Sequence, residues 1–158
     1  NKQIKRILLL FLLTISLGYG FGLRYLYLTT EANPSTIQSH YLGNENEEEV
    51  EVMKFKKTEK SILTFLHDHL FALGILQLIL SLLLFFTKTN KRLKLFLIYE
   101  PFLSLFFTFL GIYFLWKGIT SLSYFVMFSG ILFHLIFAFS ILFLGISQLT
   151  SAQNARSD

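Results

Sequence analysis

Residues 62–86 read ILTFLHDHLFALGILQLILSLLLFF, a long apolar run with three titratable side chains, His67, Asp68 and His69, gathered toward one end. A hydrocarbon core takes roughly 20 helical residues to cross, so this run is long enough to span a membrane. It is continuously apolar rather than alternating, which predicts a helix and not a barrel strand. A charged group at the centre of a span costs roughly 2.5–3.5 kcal/mol on insertion scales, so such groups face protein or a watery cavity. The stretch that decides the fold therefore also marks the candidate functional site.

Three further runs of the same kind lie outward from it, at about residues 7–28, 93–116 and 122–147. Together they predict an all-α, integral membrane four-helix bundle forming a single domain over residues 1–158. A polar segment, 31–60, joins the first two spans, and a polar tail, 150–158, is expected to fray. Of all residues 53% are hydrophobic, phenylalanine alone accounts for 19, and mean hydropathy is +0.56. A soluble domain of this length has no interior large enough to hide that surface.

Cysteine is absent, which excludes a disulfide framework, thiolate zinc, an iron–sulfur cluster and thiol redox chemistry. The net charge of +4 reads as membrane topology and not as a nucleic-acid surface, because basic residues flank the spans on the retained side. Lys2, Lys5 and Arg6 precede the first span, and Lys88, Lys91, Arg92 and Lys94 fill the link between the second and third. Both groups then lie in the cytoplasm, giving an N-in/C-in protein of the bacterial cytoplasmic membrane. Lys54, Lys56, Lys57 and Lys60 fall on the translocated segment beside many glutamates.

The first span opens like a secretory signal but lacks an Ala-x-Ala-like cut site, so it is expected to stay as an anchor. Gly18, Gly20 and Gly22 make a groove for a neighbouring helix, either within the bundle or in a homo-oligomer. Arg24 snorkels to head groups or turns inward toward Asp68 or an anionic guest. In the external segment Pro34 and Gly43 break the chain, residues 45–51 form a solvated acidic run, and residues 40–43 can fold down over the bundle. Thr58-Glu59-Lys60-Ser61 resembles a helix entry, with polar capping candidates ahead of Ile62. Pro101, after Glu100, is expected to kink the third span and free a carbonyl one turn earlier. Tyr113, Trp116 and Tyr124 suit an interfacial aromatic belt. The fourth span carries His134 and the small residues Ser129, Gly130 and Ala138.

Tyr41-x-Gly43-Asn44-Glu45, then Met53, Lys57, Leu63-Thr64-x-x-His67-x-His69 and Glu100-Pro101-Phe102, resemble an uncharacterised family of small four-span bacterial membrane proteins over roughly residues 36–148. The resemblance implies the architecture and implies no activity. In that pattern the position of Asp68 is more often small or hydroxylated, and His134 is not a fixed feature.

Positions two apart on a helix differ by about 200°, so His67 and His69 act as single ligands on different faces. Gly74, on the His67 face, would make room for a cofactor ring. Three readings follow. Haem b needs axial ligands in an apolar slot; His67 or His69 could pair with His134 or His40, with Arg24, Lys57 or Lys60 at the propionates. The task would be electron transfer in a redox complex. Copper or zinc could take His67, His69, His40 and Asp68 or Glu100. In a cofactor-free accessory or assembly subunit, Asp68 would pair with Arg24 and Glu100 with His134 as interhelical ties. A proton path along His69, Gln77, Glu100 and His134 is a weaker fourth reading, since broken helices in repeated halves are missing. The expected partners are the lipid bilayer and other membrane subunits or a second copy, with no nucleic acid.

Overall fold

A computed structural model describes residues 2–45 and 52–157, and the side chains of 3–45 and 52–147. Five helices account for most of the described chain: α1 (Lys2–Thr30), α2 (Pro34–Leu42), α3 (Glu59–Phe85), α4 (Lys91–Trp116) and α5 (Leu122–Ser157). α1, α3, α4 and α5 are each long and apolar enough to cross a membrane. The protein is a multi-pass membrane protein. Most of the acidic run, residues 46–51, lies outside the described residues.

The helix of the fourth span, α5, extends through the polar tail as far as Ser157. No proline or glycine stands between Leu149 and Ser157 to stop it. α2 is likewise a helix where breakers were expected. Asn33 caps it, accepting the Ser35 N–H at 2.9 Å, Pro34 sits at its first turn, where a missing N–H costs nothing, and Gly43 closes it. The two breakers bracket the element.

α3, α4 and α5 form the compact part, with α4 and α5 most closely paired. Small residues make that possible. A Cβ placed on Gly111 of α4 would lie 2.8 Å from the Val126 side chain of α5, and Thr108 donates its hydroxyl to Ser129 Oγ at 2.9 Å. α1 is peripheral: it packs on α2 and α5 and, among the described residues, touches neither α3 nor α4. Tyr19 supplies its main tie, donating to the His134 carbonyl at 2.8 Å and laying its ring against those of His134 and Phe137. The bundle packing considered for Gly18, Gly20 and Gly22 is not made among the described residues, because a Cβ at each would meet nothing within 4 Å.

α2, residues 43–45 and residues 52–58 fold over one end of the helices, hereafter the cap end. Gln38 reaches from α2 to the Thr120 carbonyl and to Ser123 Oγ, at 3.1 and 2.9 Å. Backbone and side chains of residues 41–45 then clasp residues 52–57. Asn44 exchanges with the Lys54 backbone, N–H to carbonyl at 2.9 Å and Oδ1 from N–H at 2.6 Å, while its Nδ2 donates to the Val52 carbonyl. Glu45 accepts the Lys56 N–H, and the Tyr41 carbonyl accepts that of Lys57. The basic link Lys88–Lys94 lies at the opposite end, where Lys94 Nζ donates to the carbonyls of Phe85 and Thr87 and closes α3.

Candidate functional site

The rotation of α3 decides what its histidines can do. Ile62, Gln77, Leu80, Ser81 and Leu84 are its buried face, and His67 and Asp68 lie off that stripe. Their side chains are 77% and 63% exposed, which in a span means exposed to whatever surrounds the chain. His67 Nδ1 and Asp68 Oδ1 are 3.0 Å apart. With the carboxylate accepting, Nδ1 is the donor of this contact and Nε2 is left outside it. The His67 ring stacks on Phe71 one turn along.

His69 points elsewhere, as the helical period requires. Its ring lies against Phe65 and, across the helix pair, Phe109 of α4, at centroid distances of 4.2 and 6.0 Å. Its Nδ1 is 3.0 Å from the Phe65 carbonyl. A carbonyl cannot donate, so this nitrogen too is the protonated one, and Nε2 is again the available base or ligand. Two imidazoles two residues apart thus present the same atom on different faces.

The remaining candidates stand apart from this pair. His40, on α2, meets the Tyr41 ring edge-on at 4.9 Å; burial lowers its affinity for a proton, and Lys57 and Lys54 lower it further. Tyr41 is buried, and its ring reaches Phe65. A line of aromatic contacts therefore runs from His40 through Tyr41 and Phe65 to His69 and Phe109. His134 faces α1, and its Nδ1 is buried without a hydrogen-bond partner. Glu100 Oε2 is in the same state, so the interhelical tie expected between Glu100 and His134 is not made. The Asp68–Arg24 tie is not made either. α1 and α3 do not meet among the described residues, Asp68 takes His67 instead, and Arg24 is exposed with no ion pair among the described residues.

Among the described residues, no three His, Asp or Glu side chains converge on a point that could hold a metal ion. An open apolar groove of about 180 Å³ lies between α3 and α4, lined by Leu66, Leu70, Phe106, Phe109, Leu110 and Tyr113. That is below the roughly 300–1,000 Å³ of an ordinary small-molecule site. It shares Phe109 with His69. Gly74, expected to make room for a ring, does face open space, since a Cβ there meets nothing within 4 Å.

One polar contact inside the span was only half legible. Pro101 has no N–H for the Leu97 carbonyl, as the sequence implied. The group that turns to that carbonyl is Gln77 of α3, fully buried, with Nε2 at a long 3.5 Å and also 3.1 Å from Ser81 Oγ. A lone glutamine in an apolar run opposite a mid-span proline was the available signal.

The chain matches the family model Aq_1264_TM, described as a transmembrane helical domain, over residues 31–155. The matched region starts just after α1. No curated protein and no solved structure matches the chain.

Proposed function

This chain belongs to the Aq_1264_TM family of transmembrane helical domains, and from that premise we propose that it is a subunit of a larger complex in the bacterial inner membrane, N-in/C-in, docking through the cap-end face of α3. The observation that carries this reading is the exposure of His67 and Asp68, 77% and 63%, part-way down an otherwise apolar span. Left against acyl chains, these groups are costly; covered by a polar partner, they become interhelical hydrogen bonds. The basic residues at the end opposite the cap favour the cytoplasmic placement of that end.

Haem b on the neighbouring face of α3, the one that carries His69, is the second reading, favoured by the Nδ1–H of His69 held on the Phe65 carbonyl, which leaves Nε2 as a ligand atom. Bound there, haem would supply one-electron chemistry. His69 would hold the iron, and Phe65 and Phe109 would stand beside it. A second axial ligand and most of the apolar wall would come from the partner, because the groove beside His69 is small. Copper or zinc would likewise need ligands beyond His67, His69 and Asp68.

The test is native mass spectrometry after mild-detergent extraction, with an absorption spectrum and elemental analysis of the same sample. An assembly heavier than one 18.4 kDa chain, weakened at least tenfold by Asp68→Asn, is expected. A monomer under every mild extraction overturns the reading. A Soret band lost in His69→Ala favours haem; iron-free, colourless assemblies favour the accessory role.

A further inference from the structure

Two exposed groups of opposite charge, Arg24 and Asp68, sit on two helices that do not touch among the described residues. We propose that a second copy of this chain covers the α3 face, with Arg24 of its α1 reaching the Asp68–His67 pair. The inference rests on the docking reading above and names its partner.

Charge complementarity selects the occupant. Arg24 is exposed and without an ion pair among the described residues, and Asp68 shares its carboxylate only with a neighbouring imidazole. Depth agrees. Arg24 is six residues below the cap end of α1 and Asp68 nine below that of α3, about 9 and 14 Å at 1.5 Å per residue. The difference is about one helical turn, which the long arginine stem covers. Direction agrees as well, because α1 runs toward the cap end and α3 away from it, so the two would meet antiparallel.

The shapes also permit it. α1 is the least buried span, 6% against 22–39% for the others, and packs only on α2 and α5. Gly18, Gly20 and Gly22 leave its backbone uncovered below Arg24, which lets a helix approach closely. Phe21 of α1 and Phe71 of α3, 77% and 66% exposed, lie one turn below Arg24 and Asp68 respectively and would meet in the same contact. Within one chain the contact is not made, since α1 and α3 do not meet among the described residues. A twofold axis along the membrane normal would form it twice at once, giving a closed dimer.

The absence of cysteine makes a clean test. Phe21→Cys and Phe71→Cys chains, carrying different tags, are co-expressed and oxidised in native membranes. A disulfide-linked pair joining the two tags is expected, and Leu10→Cys in place of Phe21→Cys should lower the yield at least tenfold, because it lies far from the cap end. Arg24→Asp and Asp68→Arg should each abolish the cross-link, and the two chains together should restore it. Circular dichroism and membrane extraction of each variant verify folding; Arg24→Gln and Asp68→Asn serve where a reversal fails to insert, each expected to reduce cross-linking severalfold. An assembly above 18.4 kDa that contains one copy and another protein would overturn the second-copy proposal while leaving the docking reading intact. A monomer would overturn both.

Discussion

Trp116 donates its indole N–H to the carbonyl of Lys57 at 2.7 Å, pinning the last residue of α4 to the segment that leads into α3. Lys117 and Lys56 stand over the same ring, at 4.6 and 5.5 Å from a ring centroid, and Lys117 also reaches Glu59 at 3.7 Å. The sequence suited Trp116 to an interfacial aromatic belt; in the structure it is buried and its indole N–H is bonded within the chain. Trp116→Phe keeps the apolar body and removes the donor. It should cost about 1 kcal/mol, read as a lower melting temperature in detergent, with faster amide exchange in residues 52–58. Unchanged exchange there would show that the cap does not depend on this bond.

Gly43 is fixed by its backbone. Its φ is +82° and its ψ 175°, a region closed to L side chains, and an added Cβ would stand 2.6 Å from the Lys56 nitrogen and 2.8 Å from the Lys54 carbonyl. Gly43→Ala should therefore destabilise by about 2–4 kcal/mol by prising residues 41–45 off residues 52–57. Gly74→Ala is the contrast, since open space surrounds that position and alanine is the better helix former by about 1 kcal/mol. Thermal melts of the two variants should shift in opposite directions. A neutral Gly43→Ala would mean that the clasp contributes nothing to stability.

His40 gives the cap a pH dependence. Burial, then Lys57, then Lys54 hold its pKa below the ordinary 6.5, so the unfolded chain takes up that proton first. Stability from this group is complete above 6.5 and declines as pH falls below it, until His40 itself protonates in the folded state. Among the described residues, the charged groups that act on it are Lys57 and Lys54, both cations that push in the same direction as burial. Melts of wild type and His40→Gln from about pH 5 to 8 should converge in slope above 6.5 and diverge below it, with the variant flatter. Parallel curves throughout would remove His40 from the account.

The four spans were legible because length and continuous hydropathy answer the question a bilayer asks. The rotation of α3 was not. A helix apolar on every side carries no stripe from which to read its inner face, so His67, Asp68 and His69 could be placed in depth but not in direction. α1 misled for a related reason. Its hydropathy matches the other spans, yet nothing in it tells packing against α3 from packing against α5; only Tyr19, through the His134 carbonyl, settles that. The role of Gly43 and Asn44 was hidden because their partners, Lys54 and Lys56, lie across residues 46–51, and such pairing has no periodic signature. By contrast Ser129 and Gly130, named from the sequence as small residues of the fourth span, do face α4: Thr108 donates to Ser129, and a Cβ on Gly130 would lie 3.8 Å from the Thr108 side chain.

The contact between Gln77 and Leu97 can be measured as a coupling. Pro101 deprives the Leu97 carbonyl of its helical donor, and Gln77 Nε2 lies 3.5 Å from it while Gln77 Oε1 is buried with no partner of its own. Gln77→Leu removes both the donor and the unpartnered oxygen, so its net effect in the native background is small, within about 1 kcal/mol of zero. Pro101→Ala restores a backbone N–H to the carbonyl and makes Gln77 redundant. In that background Gln77→Leu loses only the Ser81 bond and sheds the buried oxygen, so it should become more favourable by about 0.6 kcal/mol, the usual size of an intramembrane interhelical hydrogen bond. Denaturant titration of the four chains of this cycle in mixed micelles measures the difference directly. A coupling of zero would mean that the long contact is geometric coincidence and that Gln77 is held by Ser81 alone.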